Sequence, residues 1–230
     1  MTAAPTTVFV TSNGESDGVG VALIKRFAGD GARVVVAGSD PVYGTVLMGE
    51  IASTGGDASF VLTDLDDLVS VGRAVDHAGR IDVLVNIADD FAPGAESRSV
   101  DDWYLKTFSS LLLTCAVVPG MRRRGRGTVI TINTVAPTDP SADPRYAPAA
   151  KLRELTRRWS DAWAGRGVLV NSIAIEAGES DAALADNRTM LVDAALRFSQ
   201  ERSTVTGTTI GLPAVTAASS GRVSGERPLG

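Results

Sequence analysis

Seven short runs rich in Val, Ile and Thr alternate with stretches whose apolar residues recur at helical spacing, and this alternation covers most of the chain. The strand-like runs are 7–11, 32–37, 58–62, 81–86, 127–133, 167–174 and 205–212; the helix-like ones are 18–29, 41–54, 66–78, 101–123, 148–164 and 182–201. Strands separated by helices cannot pair through tight hairpins. Each return needs a crossover, which is right-handed, so the pattern predicts βαβ units on a mainly parallel sheet of seven strands. Runs such as Ile81-Asp82-Val83-Leu84-Val85 are nearly continuous rather than alternating, as expected when helices cover both faces. At 230 residues and 44% hydrophobic, the chain has material for one α/β domain with a full core, placed here at residues 1–212. Residues 213–230, rich in Ala, Ser, Gly and Arg, lack a period and read as a mobile or partner-bound tail.

The first crossover carries the strongest site signal. Val8-Phe9-Val10-Thr11 runs into Ser12-Asn13-Gly14-Glu15-Ser16-Asp17-Gly18-Val19-Gly20 and then into the helical stretch Val21-Ala22-Leu23-Ile24. Glycines between a strand and a helix let backbone approach a phosphate, and the amino end of the helix offers free amide N–H groups and partial positive charge. Gly14, Gly18 and Gly20 follow the spacing Gly-x-x-x-Gly-x-Gly, and the turn reads as a dinucleotide site rather than a purely structural one.

Composition removes several alternatives. A net charge of −5 and a pI near 4.9 argue against nucleic acid or an anionic membrane as partner. The basic cluster Arg122-Arg123-Arg124-Gly125-Arg126 follows a helix and reads as a solvated helix end, where cations suit the dipole. One histidine, His77, and one cysteine, Cys115, leave no disulfide within the chain and no His/Cys metal site; Cys115 reads as a packed core thiol. With no apolar run of membrane-spanning length and no signal-peptide core in residues 1–20, a cytoplasmic location is expected.

Several ordered motifs resemble the short-chain dehydrogenase/reductase family over nearly the whole chain. Asn13-Gly14-x-x-x-Gly18-x-Gly20 is similar to the family's Thr-Gly-x-x-x-Gly-x-Gly turn. Thr63-Asp64-Leu65 resembles the Asp-Val/Leu pair after the third strand that binds adenine, and Asn86-Ile87-Ala88-Asp89 stands where the family has Asn-Asn-Ala-Gly. Val170-Asn171-Ser172-Ile173-Ala174 and Val205-Thr206-Gly207 resemble the last two strands. The resemblance implies a Rossmann-type, doubly wound fold in a single domain. It implies nucleotide contacts at Gly14, Gly18, Val19, Gly20, Ser39, Asp64, Leu65, Asn86 and Ala88. At the end of the second strand, Ala37-Gly38-Ser39-Asp40 lacks both the acid that NAD-preferring relatives place at Gly38 and the arginine that NADP-preferring ones place at Ser39. Asp17 would repel a 2′-phosphate and Asp40 reaches for a ribose hydroxyl, so NAD is favoured over NADP, with no nucleotide at all as the other expectation.

The resemblance also implies a catalytic Ser and a Tyr-x-x-x-Lys pair on a helix, in which the cation lowers the phenol's pKa for acid/base work. Ile132-Asn133-Thr134-Val135-Ala136 puts Thr134 at the Ser position. Tyr146 and Lys151 are five apart instead of four, so on a regular helix they are rotated by roughly 140°. Pro148 near the helix start would let Tyr146 sit on non-helical backbone and meet Lys151; the other reading is a surface tyrosine and a solvated lysine. No Asn falls at its family position in the fourth helix, where Ser109 and Ser110 are the nearest polar residues. Ile175-Glu176 replaces the Pro-Gly that contacts nicotinamide, and only one helix fits between Gly178 and the last strand.

Three functions compete. The first is an NAD(P)-dependent oxidoreductase on a small carbonyl or alcohol, using Thr134, Tyr146 and Lys151. The second is a catalytically silent subunit supporting an active paralogue. The third is a non-redox enzyme on the same fold, such as a dehydratase, epimerase or halohydrin-type lyase. The segment 105–118 is apolar around much of its circumference, and Trp159 and Trp163 form a ridge on the next long helix. Such surplus predicts a homo-oligomer (dimer or tetramer), or a hetero-oligomer with a paralogue.

Overall fold

The computed structural model describes residues 5–12, 18–87, 100–135, 147–176, 181–200 and 203–212. Seven strands, β1 (Thr7–Thr11), β2 (Arg33–Gly38), β3 (Asp57–Leu62), β4 (Val83–Ile87), β5 (Gly127–Val135), β6 (Val168–Glu176) and β7 (Thr209–Leu212), form one sheet in the order β3-β2-β1-β4-β5-β6-β7. Every pairing is parallel. The expected Rossmann-type, doubly wound sheet is therefore present. The strand order reverses between β1 and β4, which opens a crevice at their carboxyl ends.

Six helices cross between the strands: α1 (Val19–Gly29), α2 (Pro41–Ser53), α3 (Leu68–Ala78), α4 (Val100–Arg124), α5 (Ala147–Trp163) and α6 (Asp181–Ser199). Alternate strand residues point to opposite faces and both faces are apolar. On one face Val8, Val10, Val34, Val85 and Ile132 meet Leu23, Ile24 and Phe27 of α1, Leu47 and Ile51 of α2, and Leu191 and Phe198 of α6. On the other, Phe9, Val35, Leu84 and Val129 meet Val71 of α3 and Leu113, Val117 and Met121 of α4, with Trp159 and Trp163 of α5 packed against them. α2 and α3 begin under side-chain caps. Asp40 accepts from the amides of Val42 and Tyr43, and Asp67 from those of Val69 and Ser70.

Two expectations need correction. The last strand begins at Thr209, not near 205. Gly207 takes a left-handed φ of 72°, and Thr206 and Asn171 bond across the entry with their side chains, so 203–208 do not pair as strand. Cys115 is exposed rather than packed, because it falls on the outward stripe of α4 with Phe108 and Pro119. Among the described residues, no helix is long and apolar enough to cross a membrane. The segment 213–230 and residues Gly14, Ala88 and Tyr146 lie outside the described residues.

Candidate active site

The crevice is built around Ser12, the residue at which the chain leaves β1. Its amide donates to the Ala37 carbonyl at 2.9 Å, continuing the β1–β2 ladder by one step. Its hydroxyl lies 2.7 Å from the phenol oxygen of Tyr43 on α2, both side chains being buried. The same hydroxyl lies 3.0 Å from where a Cβ on Gly20 would sit. The Ser12 carbonyl closes on Gly38 so tightly that a Cβ there would overlap it. Three elements thus hold one residue in place: the first turn of α1, the end of β2 and the first turn of α2. Burial pushes the Tyr43 phenol up from its ordinary pKa, outweighing the Ser12 hydrogen bond, which lowers it. The phenol is a neutral strut and not an acid/base group at neutral pH.

Directly beyond Ser12 and residues 13–17 comes the amino end of α1. Gly18 has extended backbone (φ −71°, ψ 171°) and, unlike Asp40 and Asp67 at the starts of α2 and α3, offers no side chain to cap its helix. Among the described residues no side chain caps its leading amides, those of Val19 and Gly20 among them, and the helix dipole there favours an anion.

The residues expected to meet adenosine follow β2 and β3. Ser39 and Asp64 are both exposed at the carboxyl edge, and Leu65 is half-buried against the second core cluster. The Thr63 amide donates to the Gly38 carbonyl, tying the two strand ends together. One carboxylate oxygen of Asp64 accepts the Asp66 amide at 3.0 Å, while Asp66 accepts the Ser109 hydroxyl of α4 at 2.6 Å. Asn86 is turned the other way. Its side chain is fully buried under α4, donating to the Thr114 hydroxyl at 2.9 Å and to the Ser110 carbonyl, so at this position only backbone faces the crevice edge.

The residues expected to be catalytic are less gathered. Thr134 lies near the end of β5, paired with Ile175, and Val135 pairs with Glu176. β5 and β6 thus bring Thr134 and Glu176 to adjacent rungs. α5 starts at Ala147 with Pro148 in its first turn, immediately after Tyr146. Lys151 projects into solvent and donates to Glu154 at 2.8 Å; Arg158 pairs with the same carboxylate. The hydrogen bond from Lys151, with the charges of Arg158 and Lys151, holds the Glu154 carboxyl below its ordinary range. Among the described residues a single helix, α6, lies between β6 and β7, as expected.

Residue reading missed Tyr43 and the tightness around Gly38. A glycine ending a strand marks close backbone approach and was a usable signal. Nothing in the sequence around Tyr43 distinguishes it from an ordinary amphipathic helix residue.

The family model for short chain dehydrogenase matches residues 6–190. The chain is 30% identical over 171 residues to 2,5-dichloro-2,5-cyclohexadiene-1,4-diol dehydrogenase of Sphingobium indicum, covering 70% of this chain and 68% of that protein. It is 33% identical over 174 residues to human dehydrogenase/reductase SDR family member 4, covering 69% of this chain and 62% of the relative. Among solved structures it is similar to an NAD(P)-dependent gluconate 5-dehydrogenase of Beutenbergia cavernae holding NADP at low occupancy, with 26% identity, a TM-score of 0.72, and 92% and 96% of the two chains covered.

Proposed function

The chain belongs to the short-chain dehydrogenase/reductase family, and from that premise we propose that it is an NAD(P)-dependent oxidoreductase acting on a small carbonyl or alcohol. The observation that carries the reading is the amino end of α1 at the reversal of strand order, beside Gly38, where a Cβ would overlap the Ser12 carbonyl. Gly14, Gly18, Val19 and Gly20 take the pyrophosphate; Ser39, Asp64 and Leu65 take the adenosine half; the backbone of Asn86 and Ala88 borders the adjacent ribose. NAD is preferred to NADP, because Ser39 offers no cation and Asp17, beside Gly18, would repel a 2′-phosphate, while the Asp40 carboxylate that caps α2 stands near the ribose. A dinucleotide held by these residues would supply the hydride chemistry. Thr134 orients the substrate oxygen, Tyr146 moves the proton at that oxygen, and Lys151 lowers the phenol's pKa once its ion pair with Glu154 opens.

A second reading, a silent subunit, draws on that ion pair: an ammonium already matched by a carboxylate in water does little for a neighbouring phenol. In either case the chain associates. Phe108, Cys115 and Pro119 form an exposed outward stripe on α4, with half-covered Leu112 between them.

Fluorescence titration with NADH and NADPH tests the function. Saturable binding, tighter for NADH and abolished by Gly18→Val, is expected. Tighter NADPH binding would reverse the cofactor preference, and binding of neither would leave the silent subunit. Light scattering at micromolar concentration should report at least a dimer, which Phe108→Glu dissociates; a wild-type monomer would remove the association.

A further inference from the structure

The start of α2 is pressed onto the sheet. A Cβ on Gly44, in the first turn, would overlap the Phe60 ring of β3, so only hydrogen fits between helix and strand. Glycine weakens a helix interior, and α2 carries one where this close approach requires it. The preceding residue, Tyr43, is thereby brought in toward β1, and its phenol meets the Ser12 hydroxyl at 2.7 Å. Phenylalanine would fill the same space without burying a second hydroxyl.

Tyr43 stands between groups that face different halves of the proposed cofactor. On its backbone side, Asp40 Oδ1 accepts the amides of Val42 at 2.8 Å and Tyr43 at 3.2 Å. Both bonds fall on Oδ1, so Oδ2 takes no part in the cap, and the residue is exposed at the carboxyl edge. On its side-chain side, Ser12 packs against Gly20 in the first turn of α1. A Cβ on Gly20 would come within 3.0 Å of the Ser12 hydroxyl and 3.2 Å of the Ile87 side chain, so α1 is seated on these two groups.

A continuous path of contacts therefore runs from Asp40 through Tyr43 and Ser12 to Gly20, joining the start of α2 to the start of α1. The Lys25–Glu50 ion pair also links these helices, but it is exposed, and a screened pair fixes no distance closely. The buried hydroxyl pair does, because O–H···O bonds are confined to about 2.5–3.0 Å.

Resting on the dinucleotide reading above, we infer that Tyr43 is a positioning residue for the cofactor: through Ser12 it sets the separation between Asp40, at the ribose, and the leading amides of α1, at the pyrophosphate. Tyr43 acts through Ser12 and need not touch the ligand. The probe is ADP-ribose, which spans both groups and carries no nicotinamide, titrated by calorimetry against the full chain in buffer without denaturant. Tyr43→Phe and Ser12→Ala should each weaken its binding about fivefold, the worth of one hydrogen bond. The double variant should show the same fivefold loss, because either change already removes the one bond. A role in stability alone would move the urea midpoint and leave the dissociation constant of the folded chain where it was. An unchanged dissociation constant in either single variant would overturn the inference while the dinucleotide reading stood. So would a double variant weakened about twenty-five-fold, since the two hydroxyls would then act separately. A wild-type chain that binds no ADP-ribose would remove the dinucleotide reading and this inference with it. Ser12→Ala decides where Tyr43→Phe fails to fold.

Discussion

The end of β1 and the face of α5 hold the two halves of one proposed reaction, and they are built on different terms. Around Ser12, position is set by contact: a buried hydrogen bond to Tyr43, a strand end with room for hydrogen alone at Gly38, and close approach to Gly20. Around Lys151, position is set by charges in water, in an i,i+3 pair with Glu154. Contacts between buried atoms are steep functions of distance, whereas exposed ion pairs are screened and tolerate displacement. The nucleotide side is therefore where the fold and the site share the same atoms. The proposed catalytic side can change while the fold stays intact, so the five-residue spacing of Tyr146 and Lys151 costs the sheet nothing.

The contrast breaks first at Gly38. Gly38→Ala forces a Cβ into the Ser12 carbonyl and should cost about 3 kcal/mol in urea unfolding, the upper range for overpacking against backbone. Gly49→Ala, inside α2 with open space around it, should instead stabilise by ~0.5–1 kcal/mol. Equal effects at the two glycines would dissolve the distinction. A smaller effect is expected at Tyr43→Phe, about 1 kcal/mol for the lost hydrogen bond to Ser12. That variant also sharpens the pH dependence. Tyr43 has a folded pKa above its ordinary 10.0, so its contribution is whole below pH 10 and is lost as pH rises through the folded value. Tyr43→Phe should flatten this alkaline limb. Least of all is expected from Glu154→Gln, with a urea midpoint unmoved within scatter near neutral pH. The Glu154 carboxyl is held below its ordinary 4.5, so whatever it contributes is present above that pH and fades as pH falls. A large loss at neutral pH would show the α5 pair to be as structural as Ser12.

Periodicity made the architecture legible because burial against a sheet imposes it. The strand-like run at 7–11 coincides with β1, and the helix ends of α2, α4 and α5 fall within one residue of their reading. A helix apolar all round carries no such record of direction, which is why Cys115 was expected inward and lies outward. The β7 entry failed for a related reason: Val205-Thr206 has strand composition, but Gly207 is left-handed and Thr206 bonds β6 through its side chain, so the regular ladder starts only at Thr209. At the site, the glycine turn was legible as a local pattern. The Ser12–Tyr43 strut joins residues 31 apart and leaves no periodic trace. The orientation of Asn86 depended equally on a distant element, α4, which the family likeness of Asn86-Ile87-Ala88-Asp89 does not encode.

Trp159 and Trp163 stack with ring centroids 5.3 Å apart and planes 14° from parallel. Two indoles so close share their excited states, and the coupled transitions divide into a pair of circular-dichroism bands of opposite sign. The sign and size of that couplet depend on the twist between the rings, hence on one helical turn of α5 and the sheet face behind it. The protein thus carries an intrinsic optical gauge on the helix that bears Lys151. Any rearrangement there that brings the lysine to its tyrosine would be visible without a label.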